Sequence, residues 1–491
     1  MKTKIKNLFS GGDSERKMAL DMVESGSDDP ESYGKEKRVD NKLPSGVTST
    51  MLYSDIIGIA WPSFVEFTLT QLTSMVDMMM VGGLGPWAIT AVGLTTQPKF
   101  LMMTMFMAMN VGATALVARY KGEDSPEKAN IILNQAILLT FILSILGSIA
   151  GYIYSRAMVR FMGAADLQTL EGGTVYLKIQ MAGFVPMALT TTITATLRGV
   201  GNSKTAMRYN LVANLVNVIF NYLLIHGHFG FPKLGIVGAS LATVLGQLVA
   251  FILGLIVILK GDQYLQLRIK DGFKLRWNYL KSIFNIGIPS MFEQLIMRAG
   301  MIIFSKTVAS LGTLAFATHQ ICMNIRSLSF MTGQAFAVSA TSLTGQSLGK
   351  RRPDMAQAYG RRTRRIGMII SVSLGTVFFF YGKKIVGLYT DDLNVIEQGA
   401  KILKLVALIQ PFQSSQFILT GALRGAGDTR ATAVIMFFTV LLIRPGLAIL
   451  TIRFLNWGIE GAWIAIVVDQ IVRSVFIVLR YRSGKWKSIK V

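Results

Sequence analysis

Cysteine occurs once in the 491 residues, as Cys322, and histidine three times. A single cysteine excludes an intramolecular disulfide and cannot build a thiolate metal site. Three histidines are too few for a histidine-rich metal cluster. Charge is sparse too: 16% of residues are Asp, Glu, Lys or Arg, against about 25% in ordinary soluble domains. Acids are scarcest, 27 against 50 Lys and Arg. No nucleophile–base constellation is evident, so an enzyme is not expected. The first 53 residues contain no short apolar core, so no cleavable signal peptide is expected. What abounds is apolar: 51% of the chain is hydrophobic, which points to an integral, all-α membrane protein. In that setting the net charge of +23 calls for no nucleic acid, because basic residues gather in cytoplasmic loops.

Stretches of about 20 apolar residues, long enough to cross a bilayer, fall near 54–80, 89–118, 131–155, 174–197, 206–227, 235–259, 283–308, 316–343, 366–388, 397–421, 431–452 and 460–479. Twelve spans leave both termini on one side. Most loop Lys and Arg share that side, among them Lys350, Arg351, Arg352, Arg361, Arg362, Arg364 and Arg365, which makes it cytoplasmic. The expected organisation is a disordered polar tail over 1–53, a first half at 54–259, a basic linker at 260–282, a second half at 283–480 and a short tail at 481–491.

The chain is duplicated. Pro62-Ser63-Phe64-Val65-Glu66 returns as Pro289-Ser290-Met291-Phe292-Glu293, offset by 227. Ala113-Thr114 returns at the same offset as Ala340-Thr341, and Leu197-Arg198-Gly199-Val200-Gly201 as Leu423-Arg424-Gly425-Ala426-Gly427 at 226. Gly235-Ile236-Val237-Gly238-Ala239 matches Gly458-Ile459-Glu460-Gly461-Ala462 at 223. Each repeat holds six spans, so the halves run parallel and are expected to be related by a pseudo-two-fold axis along the membrane normal, with a path between them. The Gly199–Thr205 stretch lacks the spacing of a phosphate-binding loop, Gly-x4-Gly-Lys-Ser/Thr, and reads as a helix-to-helix turn. That leaves ion gradients as the driving force for a transporter.

Charges at bilayer depth cost roughly 2.5–3.5 kcal/mol each and are functional suspects. The mid-span acids are Glu66, Asp77, Glu293 and Asp469. Glu66 lies about 12 residues, or ~18 Å, into its span, and Glu293 is its repeat partner. Either binds cations, or each is tied to a neighbour such as Gln71, Gln294 or Arg298. Asp77 has Phe304 as its counterpart, so it belongs to one half only. Asn210, Asn214, Asn217 and Asn221 step by 4, 3 and 4 along one helical face and must meet protein or water, with Thr243 in the next span able to join them. Asp469 can pair with Arg473 one turn on, and Arg298, Lys306, Arg326 and Arg444 can neutralise acids or snorkel.

With Pro62-Ser63-x-x-Glu66, Val76-Asp77 through Val81-Gly82-Gly83-Leu84-Gly85, Ile288-Pro289-Ser290-x-x-Glu293, Gly312 to His319-Gln320 and the two Leu-Arg-Gly-x-Gly turns, residues 50–483 resemble the prokaryotic multidrug and toxic compound extrusion (MATE) family. The resemblance implies twelve helices in two parallel six-helix repeats, a V-shaped two-lobe transporter that alternates its access and exports amphipathic, often cationic drugs or dyes in exchange for Na+ or H+. It implies coupling-ion roles for Asp77, Asn217 and Thr243, and likens Glu293 to a seventh-helix acid. Many prokaryotic members carry aspartate where this chain has Asn221, which leaves the coupling ion open. The expected coupling set is Asp77, Asn217, Asn221, Thr243 and Glu66, with Na+ on Asp77, Asn217 and Asn221. Glu293, Gln294 and Asp469 are expected in the substrate cleft. No cofactor besides the coupling ion is expected. The expected partners are small amphipathic molecules and the lipid bilayer of the cell membrane, for a monomeric chain. The alternative reading is a lipid-linked saccharide flippase of related architecture.

The charge asymmetry sets a topology test. In a Cys322→Ser background, Arg351→Cys should react with a membrane-impermeant maleimide only after permeabilisation, and Phe229→Cys should react in intact cells. The reverse pattern would invert the orientation.

Overall fold

The computed structural model describes residues 47–164, 166–260, 264–267 and 274–489. The tail expected at 1–53 lies outside the described residues up to position 46, as do 261–263 and 268–273 of the linker and the last two residues. The helices are α1 (Ser49–Gly82), α2 (Pro86–Gly122), α3 (Pro126–Ile153), α4 (Leu167–Ala182 and Phe184–Gly199), α5 (Ser203–His226) and α6 (Ile236–Lys260). The second set is α7 (Trp277–Ala309), α8 (Thr313–Gly349), α9 (Pro353–Gly387), α10 (Leu393–Gly425), α11 (Thr429–Phe454) and α12 (Gly458–Arg482). Among the described residues, nine helices are individually long and apolar enough to span a bilayer. The other three are α1 and α8, diluted by the polar residues they bury, and α4, which bends at Gly183 into two 16-residue pieces.

The helices outrun their apolar stretches. The helix α1 starts five residues before the expected span and α9 thirteen before, so Arg361, Arg362, Arg364 and Arg365 sit on helix rather than in a loop. Hydropathy marks where a chain crosses lipid, whereas a helix continues until a cap or breaker stops it. Here Thr48 accepts from the Met51 N–H at 3.3 Å, and Pro86, Pro126 and Pro353 open α2, α3 and α9, where a missing N–H costs nothing. The outer surface bears exposed apolar side chains such as Trp61, Met79 and Phe380, a face suited to lipid.

The duplication extends to backbone angles. Gly85 and Gly312, Gly201 and Gly427, and Gly235 and Gly458 are repeat partners with φ of 113° and 101°, 86° and 86°, 56° and 54°. Even the non-glycine pair Asp124 and Arg351 shares the left-handed region at 51° and 56°. The two halves meet on the pseudo-axis, where Gly122 of α2 faces Gly349 of α8, its own repeat partner. Only a point on the axis can bring a residue against its own image. Nearby, Ser339 donates to the Ile56 carbonyl at 3.1 Å, and Gly112, the partner of Ser339, packs on Ile283, the partner of Ile56. These contacts occupy the membrane side that carries the start of α1 and the end of α12. On that side residues Lys485–Ser488 form a 3-10 turn. Trp486 is fully buried there and stacks on Tyr481 with 5.0 Å between centroids. The Ile489 carbonyl then accepts from Arg119 of α2 at 3.0 Å.

A Cβ on Gly349 would lie 1.9 Å from the Arg119 carbonyl oxygen. Gly349→Ala should therefore cost about 1–3 kcal/mol through forced separation of the helices, read as a lower unfolding midpoint in detergent. Gly58→Ala, where nothing lies within 4 Å, should be neutral or slightly stabilising.

Candidate functional site

The helices α1 and α5 run parallel, joined by a polar ladder at a constant separation of 144 residues. Asn210 donates to Glu66 Oε1 at 2.7 Å, Asn214 to Thr70 Oγ1 at 3.1 Å, and Asn221 to Asp77 Oδ1. The periodic asparagines face the acids and Thr70 of α1 rather than lipid, although Glu66 Oε2 and Asn221 Oδ1 make no hydrogen bond among the described residues. Asp77 receives a second amide. With Asn217 turned so that both ends of its amide are bonded, its nitrogen donates to Asp77 Oδ1 at 2.9 Å and its oxygen accepts from the Thr243 N–H at 3.2 Å. The Thr243 hydroxyl donates to the Ala239 carbonyl at 3.0 Å. Asp77, Asn217, Asn221 and Thr243 thus come together as one oxygen-rich cluster on α1, α5 and α6. Among the described residues no group of three or more His, Cys, Asp or Glu is placed to hold a metal. Any cation here would rest on one carboxylate aided by amide and hydroxyl oxygens, a donor set that suits a hard, weakly held ion.

Glu66 sits three turns below Asp77, and its Oε1 also accepts from Arg198 at 2.7 Å. The repeat copies this pair: Glu293 Oε1 accepts from Arg424 at 2.7 Å, and Thr432 donates to its Oε2 at 3.1 Å. Neither acid is tied to the neighbours expected from sequence, Gln71, Gln294 or Arg298. Both partners come from the Leu-Arg-Gly-x-Gly turns at the ends of α4 and α10. In those turns the glycines allow close helix approach, Gly199 to the Thr114 carbonyl and Gly425 to the Thr341 carbonyl, and the arginine reaches back into the membrane interior.

A cavity of about 900 Å³ opens over this surface. Asp77, Glu66, Asn217, Thr243 and Lys99 line it, with Arg198 and Arg424 at its charged end and Phe67, Phe100, Met103 and Met107 supplying apolar wall. Its lining comes almost entirely from the first half. Glu293, Gln294 and Asp469, expected in the cleft, are absent from it. Glu293 is buried on Arg424, and Asp469 is buried on Arg444 and Arg473 in the second half. Lys99 escaped the sequence reading, although it is a lysine after Pro98 in the middle of the second apolar stretch. It donates to Gln180 Oε1 at 2.8 Å and lies within electrostatic reach of Asp77. The roles of Arg198 and Arg424 escaped as well. Their recurrence at an offset of 226, one short of the 227 that relates the glutamates, was the signal.

A model of the MatE family matches the chain twice, over residues 62–223 and 289–450, once in each repeat. Among curated relatives, the probable multidrug resistance protein NorM of Thermotoga maritima is 28% identical over 434 residues, covering 88% of this chain and 93% of its own. The uncharacterized transporter YisQ of Bacillus subtilis is 25% identical over 431 residues, covering 88% and 94%. A solved structure described as the outward-facing conformation of a multidrug resistance MATE family transporter of the MOP superfamily superposes with a TM-score of 0.82 at 22% identity. That match covers 90% of this chain and 99% of the other.

The Glu66–Arg198 pair can be tested by truncating one side. Arg198→Met strands a buried carboxylate and should cost about 3–5 kcal/mol of stability. Adding Glu66→Gln should recover most of that loss in the unfolding midpoint. No recovery in the double variant would mean that the pair contributes nothing as a pair.

Proposed function

The chain belongs to the MatE family of multi-pass membrane transporters, and we propose that it is an ion-driven antiporter that exports amphipathic organic cations from the cell. The supporting observation is the cavity's charge pattern. Of its two acids, Glu66 is already matched by Arg198, whereas Asp77 is held by neutral amides and borders Phe and Met wall. An organic cation entering that space gains apolar burial and a carboxylate with no salt-bridge partner among the described residues, Lys99 being in electrostatic reach but hydrogen-bonded to Gln180 Oε1. The relatives named above as multidrug resistance proteins agree with such a cargo, and the flippase alternative is not favoured by them.

Coupling would follow from competition for Asp77. With its nitrogens toward the carboxylate, the Asn217–Asn221 pair supports the ionised acid that attracts cargo. With those amides turned, their oxygens and the Thr243 hydroxyl would face a Na+ ion on Asp77. A proton on Asp77 would discharge the same carboxylate. Either ion lowers the attraction for cationic cargo, since a buried carboxyl favours its neutral or ion-bound form. Lys99 would sharpen the exchange by competing for Asp77 when neither is bound. Glu66, locked to Arg198 and Asn210, contributes to the shape and charge balance of the cavity. The glycine crossing on the pseudo-axis and the opening of the cavity away from it would let the halves rock between two access states. Both termini would lie in the cytoplasm, with 54–259 and 283–480 as the two lobes.

Efflux of a fluorescent organic cation from proteoliposomes under separately imposed Na+ and pH gradients tests this reading. One of the two gradients should drive flux. Asp77→Asn should abolish that flux, a loss of at least about tenfold, which is what one ion-dependent interaction near 1.4 kcal/mol supplies, while leaving the unfolding midpoint near wild type. Near-normal driven flux in Asp77→Asn would remove Asp77 from the coupling role. No flux with either gradient would remove antiport.

A further inference from the structure

The second half lacks an acid at the place of Asp77, yet it keeps a cation at the place of Lys99: their repeat partners are Phe304 and Arg326. In the first half Lys99 has Asp77 within electrostatic reach. In the second, Arg326 has instead the neighbours Arg444, Arg473 and Asp469, two like charges and one acid. That acid is spent. Asp469, with no exposure, takes Arg444 Nε at 3.0 Å and Arg473 Nη2 on the same oxygen, Oδ2. Among the described residues, Arg326 bonds only the neutral amide oxygen of Gln413, at 2.9 Å, and the Met323 sulfur, at 3.9 Å. Arg473 spends Nη1 on the sulfurs of Met436 and Met297, at 3.4 and 3.7 Å, and thioethers are weak acceptors. Its Nε, 1% exposed with the rest of the side chain, makes no hydrogen bond among the described residues. One turn to either side of Gln413, the Gln410 and Gln416 amide nitrogens are equally buried and unbonded.

Two guanidinium groups bonded to one carboxylate, with Arg326 in electrostatic reach of all three, leave an excess of two positive charges among these four groups inside a membrane domain. Glu293 reaches Arg473 electrostatically, but it is already matched by Arg424. Arginine does not discharge by losing its proton, and a buried unpaired charge is costly without a counter-ion. Arg444 also opens the short α-helical turn between two π-helical stretches, Phe437–Ile443 and Leu450–Phe454. Such interruptions recur at functional sites.

We infer that the second half binds a small monovalent anion between Arg326 and Arg473, with the amides of α10 as additional donors. The chemistry fits a halide from solution or the carboxylate group of a cargo molecule, and it is separate from the Asp77 cluster of the first half.

The full-length protein, purified in detergent with the bulky sulfonate of HEPES as the sole anion, should be titrated at constant ionic strength with chloride and, separately, with benzoate, reading the unfolding midpoint. A saturable rise with chloride assigns the site to a halide. A rise with benzoate alone assigns it to a carboxylate. Arg326→Gln should weaken half-saturation at least about tenfold, and Asp469→Asn, which adds one net positive charge, should tighten it by a similar factor. These opposite signs separate a site from a general salt effect. No saturable rise with either anion, or the same half-saturation in Asp469→Asn as in wild type, overturns the inference. Should Arg326→Gln fail to fold, the Asp469→Asn comparison decides alone.

Discussion

Carboxylates in a medium without water impose the strictest demand on this molecule, and most of its internal arrangement answers that demand. Each buried acid must find donors within its own helix bundle, because lipid offers none. Glu66 and Glu293 find arginines from the ends of α4 and α10, Asp469 finds two on α11 and α12, and Asp77 finds two asparagines. These pairings hold α1 parallel to α5 and tie α7 to α10 and α11, so they help fix the relative placement of helices that apolar contact alone would leave free to slide. Net stabilisation need not be their outcome. A buried ion pair can cost as much in desolvation as it gains. What it supplies is register, since a slip of one helix strands a charge.

The duplication sets a symmetric frame within which the halves have diverged in charge. Glycine positions and left-handed turns are shared, with φ of repeat partners such as Gly85 at 113° and Gly312 at 101°, and the Glu–Arg pairs are both 2.7 Å long. The departures fall along α1, α5, α6 and their counterparts. Asp77 becomes Phe304, and the asparagine-bearing α5 becomes α11 with its π turns and Arg444. One half thus presents an acid cradled by amides and the other an excess of guanidinium, on the same scaffold.

Much of this was legible in the sequence because hydropathy and repetition are properties of the chain itself. Twelve spans, their pairing into repeats, and the common face of Asn210, Asn214, Asn217 and Asn221 all follow from period and offset. The meeting of Asp77 with Asn217, Asn221 and Thr243 was an expectation of the family resemblance, and the residues do lie together. What stayed illegible is contact between distant residues. Arg198 looked like part of a turn because its helix position, not its reach, is written in the motif. Lys99 disappeared in an otherwise apolar stretch. Glu293 and Asp469, expected in the cleft, do not line the first-half cavity, because mid-span depth says nothing about which side of a helix faces open space.

The turn after α12 fastens the end of the second half to α2 of the first, across a separation of 370 residues. The arginine that receives it, Arg119, also supplies the carbonyl against which Gly349 packs. Tension applied to residues 485–489 is therefore transmitted to the place where the two halves meet. The polypeptide is a belt buckled at the point where its two halves meet, so a bulky fusion or an affinity resin attached at that end acts as a mechanical load on that meeting point and not as a passive handle.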